Sequence, residues 1–205
     1  MLKKGAIIVL DGIDGSGKTT ISKLLLDYLK EHGREVFYLS EPNESSDTGK
    51  LIESMLRKRD SNKVKTNKWV ELFTKNRKES EKTIKESLNN GKIVILDRYY
   101  YSTLAYQLEP KKWQAYSEQF IKPDIVFILD VDEKIGIARV KYKYEKTKEK
   151  MAYFEKEKIL KEVRRKFLAI PQFLKDNIKI IDSSREIKDV WFDIKREVNE
   201  IVFGN

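Results

Sequence analysis

The chain has 205 residues, 42 of them basic and 33 acidic, for a net charge of +9, with one histidine and no cysteine. Its length suits one domain with its own core, and the lack of cysteine excludes disulfides and thiolate metal sites. No apolar stretch approaches the roughly 18 residues of a membrane span, and Met1-Leu2-Lys3-Lys4 runs straight into the first strand, leaving no room for a secretory leader.

Ala6-Ile7-Ile8-Val9-Leu10 reads as a strand between Gly5 and Gly12. Gly12-Ile13-Asp14-Gly15-Ser16-Gly17-Lys18-Thr19 then matches the pattern G-x-x-x-x-G-K-[ST] at every fixed position. A helix follows over 19–32, with Ile21, Leu24, Leu25, Tyr28 and Leu29 at three- and four-residue spacings. His32 sits near its end, before Gly33, and reads as a solvated residue rather than a ligand or base. Further strands are expected at 36–39, at 93–96 after Asn89-Asn90-Gly91, at 125–129 after Pro123-Asp124, and at 178–181. Helices are expected over 48–59, 67–89, 133–175 (broken) and 186–203. The strands are apolar on both faces, as in a parallel sheet covered on both sides. The alternation predicts an α/β fold of the P-loop NTPase kind: a five-stranded parallel sheet between helices, in a single domain, 1–205. Ligands in such sheets bind beyond the carboxyl ends of the strands, here just after Leu10, Leu39, Leu96 and Leu129.

The glycine loop has a chemical reason. A triphosphate is densely anionic, so many N–H donors must approach closely, and Gly12, Gly15 and Gly17 let the backbone do so. The helix start adds its positive dipole end. Ile13, Asp14, Ser16, Lys18, Thr19 and Thr20 complete the expected ATP site. Lys18 is expected at the β- and γ-phosphates and the Thr19 hydroxyl on Mg²⁺. After Leu96 comes Asp97-Arg98, followed by Ser102 and Tyr106-Gln107. Asp97, or Asp11, can stand behind the magnesium ion, and Arg98 can grip a phosphate bidentately. Tyr106 and Gln107 offer a ring beside an amide that can read a base edge. Phe73 and Arg77 lie one helical turn apart and face the same way; on residues alone, a core ring and a surface arginine on an amphipathic helix is the favoured reading.

The run Asp97 to Gln107 together with this P-loop resembles the thymidylate kinase family. Glu41-Pro42, Thr48-Gly49-Lys50-Leu51-Ile52, Phe154-Glu155 through Val163-Arg164, and Asp182-Ser183-Ser184 agree in order and spacing, so the resemblance covers nearly the whole chain. It implies transfer of the γ-phosphate of ATP to dTMP in a cytoplasmic homodimer, with Lys18, Asp97 and Arg98 at the reacting groups. It further implies that Pro42, Phe73, Arg77, Arg98, Ser102, Tyr106 and Gln107 contact dTMP. Phe73 and Arg77 would read thymine, Asp14 would lie near the sugar, and Tyr106 would crowd a ribose 2′-hydroxyl. Ser183 and Ser184 would lie in the loop against adenine, and a small helical lid would span about 139–155.

Two departures stand out. The family often places an arginine soon after the second-strand proline, where this chain has Asn43 and Glu44. One branch carries an arginine inside the P-loop, where this chain has Gly15-Ser16; the other branch supplies it from the lid. Here either Arg139 does that work, or Lys141, Lys143, Lys146 or Lys148 substitutes as a point charge. A deoxynucleoside kinase or another nucleoside monophosphate kinase would share the scaffold. The charge of +9 also permits a nucleic-acid-stimulated ATPase, although charges that alternate in sign read as solvated faces, and neither nucleic acid nor membrane is expected as a partner.

Overall fold

The structure, a computed structural model, describes residues 4–58, 63–147 and 157–204. Five strands, β1 (Ala6–Asp11), β2 (Val36–Ser40), β3 (Ile93–Asp97), β4 (Ile125–Asp130) and β5 (Ile178–Asp182), form one sheet in the order β2-β3-β1-β4-β5. All pairings are parallel. Register brings Leu10 beside Asp97, Ser40 beside Asp97, and Asp130 beside Asp182, so the carboxyl ends meet on one edge. β1, β3, β4 and β5 each end in aspartate, which makes that edge acidic and demands cations beside it.

Eight helices lie among the described residues: α1 (Lys18–Glu31), α2 (Asp47–Leu56), α3 (Thr66–Asn89), α4 (Tyr100–Gln107), α5 (Trp113–Ser117), α6 (Glu133–Thr147), α7 (Glu157–Ala169) and α8 (Ile187–Phe203). Side chains alternate across the sheet with a period of two. Ile7, Val9, Val94, Leu96, Val126 and Ile128 pack on one face against Ile84 of α3, Leu104 of α4, Trp113 of α5 and Phe167 of α7. Ile8, Leu10, Ile95 and Phe127 pack on the other against Ile21, Leu25 and Leu29 of α1 and Val190, Ile194 and Val198 of α8. The strands and long helices fall where the periodicity places them, to within a few residues. Helices α4 and α5 were not anticipated. In α4 Tyr100, Tyr101, Thr103, Leu104 and Ala105 are all buried, so it lacks the one-sided apolar stripe that marks an amphipathic helix.

Two close approaches fix the loops at the carboxyl edge. A Cβ on Gly15 would lie 2.1 Å from the Gly136 carbonyl oxygen, and one on Gly136 would lie 2.8 Å from that of Asp14. The P-loop and the start of α6 are therefore in backbone contact. In the first turn of α2, a Cβ on Gly49 would lie 1.8 Å from the Asn43 carbonyl oxygen. For Gly49→Ala the overpacking cost of about 1–3 kcal/mol outweighs the gain in helix propensity of about 1 kcal/mol. The urea midpoint is expected to fall with unchanged m-value; an equal or higher midpoint would show that the loop at Asn43 yields freely.

Candidate active site

The site is organised around Asp11, which has no solvent exposure. Its Oδ1 accepts from the Gly12 N–H at 2.9 Å and the Ser102 hydroxyl at 2.7 Å, and its Oδ2 from the N–H groups of Tyr99 at 3.1 Å and Ser102 at 3.0 Å. The N–H donors come from Tyr99, the residue capping α4, and from Ser102 in its first turn, where a carboxylate is favoured by the helix dipole. Burial raises the Asp11 carboxyl above its ordinary pKa, against the opposing pull of Arg98, Ser102 and Lys18. With each oxygen already accepting two hydrogen bonds, Asp11 has no lone pair left for a metal ion.

The P-loop runs from β1 to α1 with positive φ at Gly12 (142°), Gly15 (78°) and Gly17 (92°), conformations that side chains rarely adopt. Lys18 is buried, and its Nζ donates to the carbonyls of Gly12 at 3.1 Å and Ile13 at 2.8 Å, and to Ser16 Oγ at 3.4 Å. Burial first, and then the Arg98 charge, lower its pKa to about 8, although Asp14, Asp97 and Asp11 pull the other way. Thr19 and Thr20 are exposed at the start of α1.

Arg98 follows β3 with φ 73°, in the left-handed region that non-glycine residues rarely enter. Such a conformation costs on the order of 1–3 kcal/mol and persists only when its surroundings hold it. Here the surroundings are explicit. The Arg98 N–H donates to Leu10 O at 2.9 Å, Nη1 donates to Gly12 O at 3.0 Å and Ser102 Oγ at 3.1 Å, and Nη2 donates to Asp14 Oδ1. Burial alone would raise the Asp14 carboxyl; Arg98 and Lys18 more than offset this and hold it below its ordinary value. Tyr106 donates its hydroxyl to Asp14 Oδ2 at 3.2 Å.

A cavity of about 200 Å³ opens beside this cluster. Asp14, Pro42, Phe73, Arg77, Arg98, Ser102, Tyr106 and Gln107 all line it, so every position assigned to the acceptor in the sequence faces one space. Glu41, Glu53, Leu56, Arg57, Thr103 and Tyr144 line it too and were not singled out as site residues. Glu53 and Arg57 form an i,i+4 pair at 3.5 Å, a pattern that in sequence reads as a solvated helix face. Arg77, expected as a surface or base-reading arginine, is 3% exposed. Its Nε donates to Glu41 Oε1 at 3.0 Å and Oε2 at 2.9 Å, its Nη2 to Oε2 at 2.5 Å and its Nη1 to Tyr116 Oη at 3.2 Å. The guanidinium also lies 5.0 Å from the Phe120 ring centroid. Three arginine–carboxylate pairs thus border the cavity: Arg77–Glu41, Arg98–Asp14 and Arg57–Glu53.

On the P-loop's other side, Arg139 of α6 donates from Nη1 to Gly15 O at 3.3 Å and from both Nη atoms to Ser183 O at 3.2 Å. Ser183 is buried, and both its N–H and its hydroxyl donate to Asp130 O at 2.8 Å. Ser184 donates its N–H to Asp182 Oδ1 at 2.9 Å. The loop of 183–184 is therefore held between the end of β4 and Arg139, and its serine hydroxyls are engaged within the protein. Arg164, from the segment that resembles the helix after the lid, donates to Asp130 Oδ1 at 2.7 Å and Oδ2 at 3.0 Å. Lys141, Lys143 and Lys146 lie on α6, with Lys141 exposed; Lys148, Phe154 and Glu155 lie outside the described residues.

The donor set at Thr19 and Asp97 suits magnesium. Thr19 Oγ1 donates to Asp97 Oδ2 at 2.7 Å, and the Tyr38 hydroxyl donates to the same oxygen at 3.3 Å. Among the described residues no group of three or more His, Cys, Asp or Glu could cage an ion. Mg²⁺ keeps several waters and is commonly held by one or two protein oxygens together with substrate phosphates, and a hydroxyl beside a carboxylate can supply them.

A parallel sheet edged by a glycine loop that opens α1, with a paired-arginine cavity alongside, defines a nucleotide phosphate-binding protein of the P-loop class. A family model described as Thymidylate kinase matches residues 10–194. A "Probable thymidylate kinase" of Pyrococcus horikoshii is 33% identical, covering 98% of this chain and 99% of the relative. A "Thymidylate kinase" of Plasmodium falciparum is 37% identical, covering 97% and 92%, and one of Brachyspira hyodysenteriae is 32% identical, covering 96% and 95%. The chain belongs to the thymidylate kinase family.

A test follows from Lys18. Its depressed pKa of about 8 comes from burial and from Arg98, and a polyphosphate beside Nζ opposes both. Binding must then raise the pKa, so near pH 8 the complex takes up roughly half a proton per site. Below about pH 7 Lys18 is already protonated and the uptake vanishes. Calorimetric titration of ATP in buffers of different ionisation enthalpy measures this number. Uptake that is zero at pH 8, or that persists in Lys18→Ala, would refute the assignment.

Proposed function

We propose that this protein transfers the γ-phosphate of ATP to dTMP, giving dTDP and ADP. One observation supports it above the rest: a single guanidinium, Arg98, joins the P-loop at Gly12 O and Asp14 to the cavity wall at Ser102. A phosphate held in that cavity and one held in the P-loop would share Arg98 as a common cation. The reaction forms a bond from a dTMP phosphate oxygen to the γ-phosphorus as the bond to the β–γ bridging oxygen breaks, and the electron pair leaves with ADP. No protein nucleophile is required, so catalysis is positioning and charge neutralisation. Lys18 and Arg98 would surround the transferred group, with Phe73, Arg77, Tyr106 and Gln107 on the nucleoside. Thr19 and Asp97 would hold Mg²⁺, which when bound would neutralise phosphate charge. The enzyme would act as one P-loop domain in a cytoplasmic homodimer; no helix among the described residues is long and apolar enough to cross a membrane.

An acceptor panel tests the reading: dTMP, dUMP, UMP, dCMP, dGMP and AMP with Mg·ATP, followed by ADP release. dTMP should give the highest kcat/KM, and Arg77→Ala should raise the KM for dTMP while leaving that for ATP nearly unchanged. Equal turnover of UMP or AMP, or ATP turnover that depends on nucleic acid rather than on an acceptor, would overturn it.

Arg139 stands as the candidate for the cation that the P-loop lacks, because its guanidinium already meets Gly15 O. A supplied arginine contributes about 10³–10⁵ in related phosphoryl transfers. Arg139→Ala is therefore expected to lower kcat by at least about 10²-fold, and any one lysine at 141, 143, 146 or 148 changed to alanine to cost less than about tenfold. A loss confined to the KM for ATP would instead make Arg139 a brace between the P-loop and the 183–184 loop.

A further inference from the structure

We infer that Glu41 and Tyr116 are positioning residues that aim Arg77 into the acceptor cavity and so set its selectivity for the base. The inference rests on the reading of Arg77 as the group that recognises the acceptor base. A guanidinium has five N–H groups in one plane. In Arg77 hydrogen bonds within the protein use three of them, two on the Glu41 carboxylate and one on the Tyr116 hydroxyl. Nε and Nη2 on Glu41 fix the plane of the fork, and Nη1 on Tyr116 fixes the opposite side. The rings of Phe120 and Tyr99, 5.0 Å and 5.5 Å from Cζ, hold it from the faces. A lysine could not be held in this way, because its charge has no plane.

Both holders are themselves held. The Glu41 N–H donates to Asp97 O at 2.9 Å, at the carboxyl end of β3. The Tyr116 hydroxyl is 2.8 Å from Thr74 Oγ1, which donates to Val70 O at 2.6 Å in α3. Glu41 and Arg77 both line the cavity. The pairing does two things for recognition. It neutralises a buried charge, so Arg77 enters the cavity as a directed donor rather than as a free cation that any anion would satisfy. It also leaves two N–H groups, which accept nothing and therefore suit a carbonyl edge and reject an exocyclic amine. A pyrimidine with a 4-oxo group meets that requirement; one with a 4-amino group presents donor against donor.

The test measures KM and kcat for dTMP, the ratio of kcat/KM for dTMP over dCMP, and the dissociation constant of thymidine. Tyr116→Phe keeps the ring and removes one neutral hydrogen bond, so the KM for dTMP should rise about threefold to tenfold with kcat at saturation nearly unchanged. Glu41→Gln should raise KM at least about tenfold and narrow the dTMP-to-dCMP ratio by a similar factor. Thymidine binding should weaken in parallel, since the effect lies at the base. In the double variant Glu41→Gln with Arg77→Ala, the loss should not exceed that of Arg77→Ala alone, because the two changes remove one coupled unit. If Glu41→Gln does not fold, Tyr116→Phe and the double variant carry the test. Variants that lower thermal stability while leaving KM and the dTMP-to-dCMP ratio unchanged would reduce Glu41 and Tyr116 to structural parts and overturn the proposal. If Arg77→Ala itself leaves the KM for dTMP unchanged, the base-reading role of Arg77 falls first, and the positioning role with it.

Discussion

The buried carboxylate of Asp11 is the constraint on which the rest of the site depends. It stands at the end of β1 and accepts hydrogen bonds from the start of the P-loop and from the first turn of α4. These two segments are about 90 residues apart in the chain, and each carries half of the chemistry. The P-loop brings Lys18 and Thr19; α4 brings Ser102, Tyr106 and Gln107. Arg98, the hinge between β3 and α4, takes up its left-handed conformation in the space that this arrangement leaves. A carboxylate in water would share its lone pairs with solvent, whereas here all four acceptor sites serve the fold, and the cost of burying it is returned as geometry.

The same economy governs the cavity. The sheet's carboxyl edge is acidic because four strands end in aspartate. Each arginine bordering the cavity is matched to a carboxylate that also lines it, and Arg98 lies 3.7 Å from Asp11 as well. The lining is therefore close to neutral, and its groups are oriented rather than free. Oriented donors discriminate shape and hydrogen-bond pattern, while an unpaired charge would draw in any anion. On the proposed reading, the charge that a phosphorylated acceptor brings would be met by Lys18, by the α1 dipole and by Arg98.

Much of this was legible in the sequence, and the reason differs from element to element. The P-loop was legible because its glycines answer a backbone requirement that no other residue meets. The five strands were legible because strands buried on both faces leave short apolar runs between turn residues. Helix α4 was not, since a helix buried on nearly every side has no polar stripe to set its period. The positions assigned to the acceptor in the sequence line one cavity. Yet the partners of those positions were invisible: nothing near Glu41 or Tyr116 in the chain points to Arg77, because the contact is made only when α3, α5 and the loop after β2 come together. Glu53 and Arg57 were hidden for the opposite reason, as their spacing resembles countless solvated helix pairs. For Arg139 the chain pointed to a basic residue beside the P-loop but not to the carbonyls of Gly15 and Ser183 that receive it.

The contact between Gly15 and Gly136 is backbone against backbone, with no side chain between them to absorb displacement. Mechanically it is a fulcrum set near one end of a rod. From Gly136 to Thr147, helix α6 extends about 17 Å at a rise of roughly 1.5 Å per residue. Tilting the rod by about 10° about Gly136 would swing its far end by about 3 Å while the near end barely translates. Tyr144 lies on the far arm and borders the acceptor cavity, so any such tilt would shift the cavity wall. A methyl group at either glycine would act as a shim in that joint, changing the resting angle of the rod before any ligand arrives.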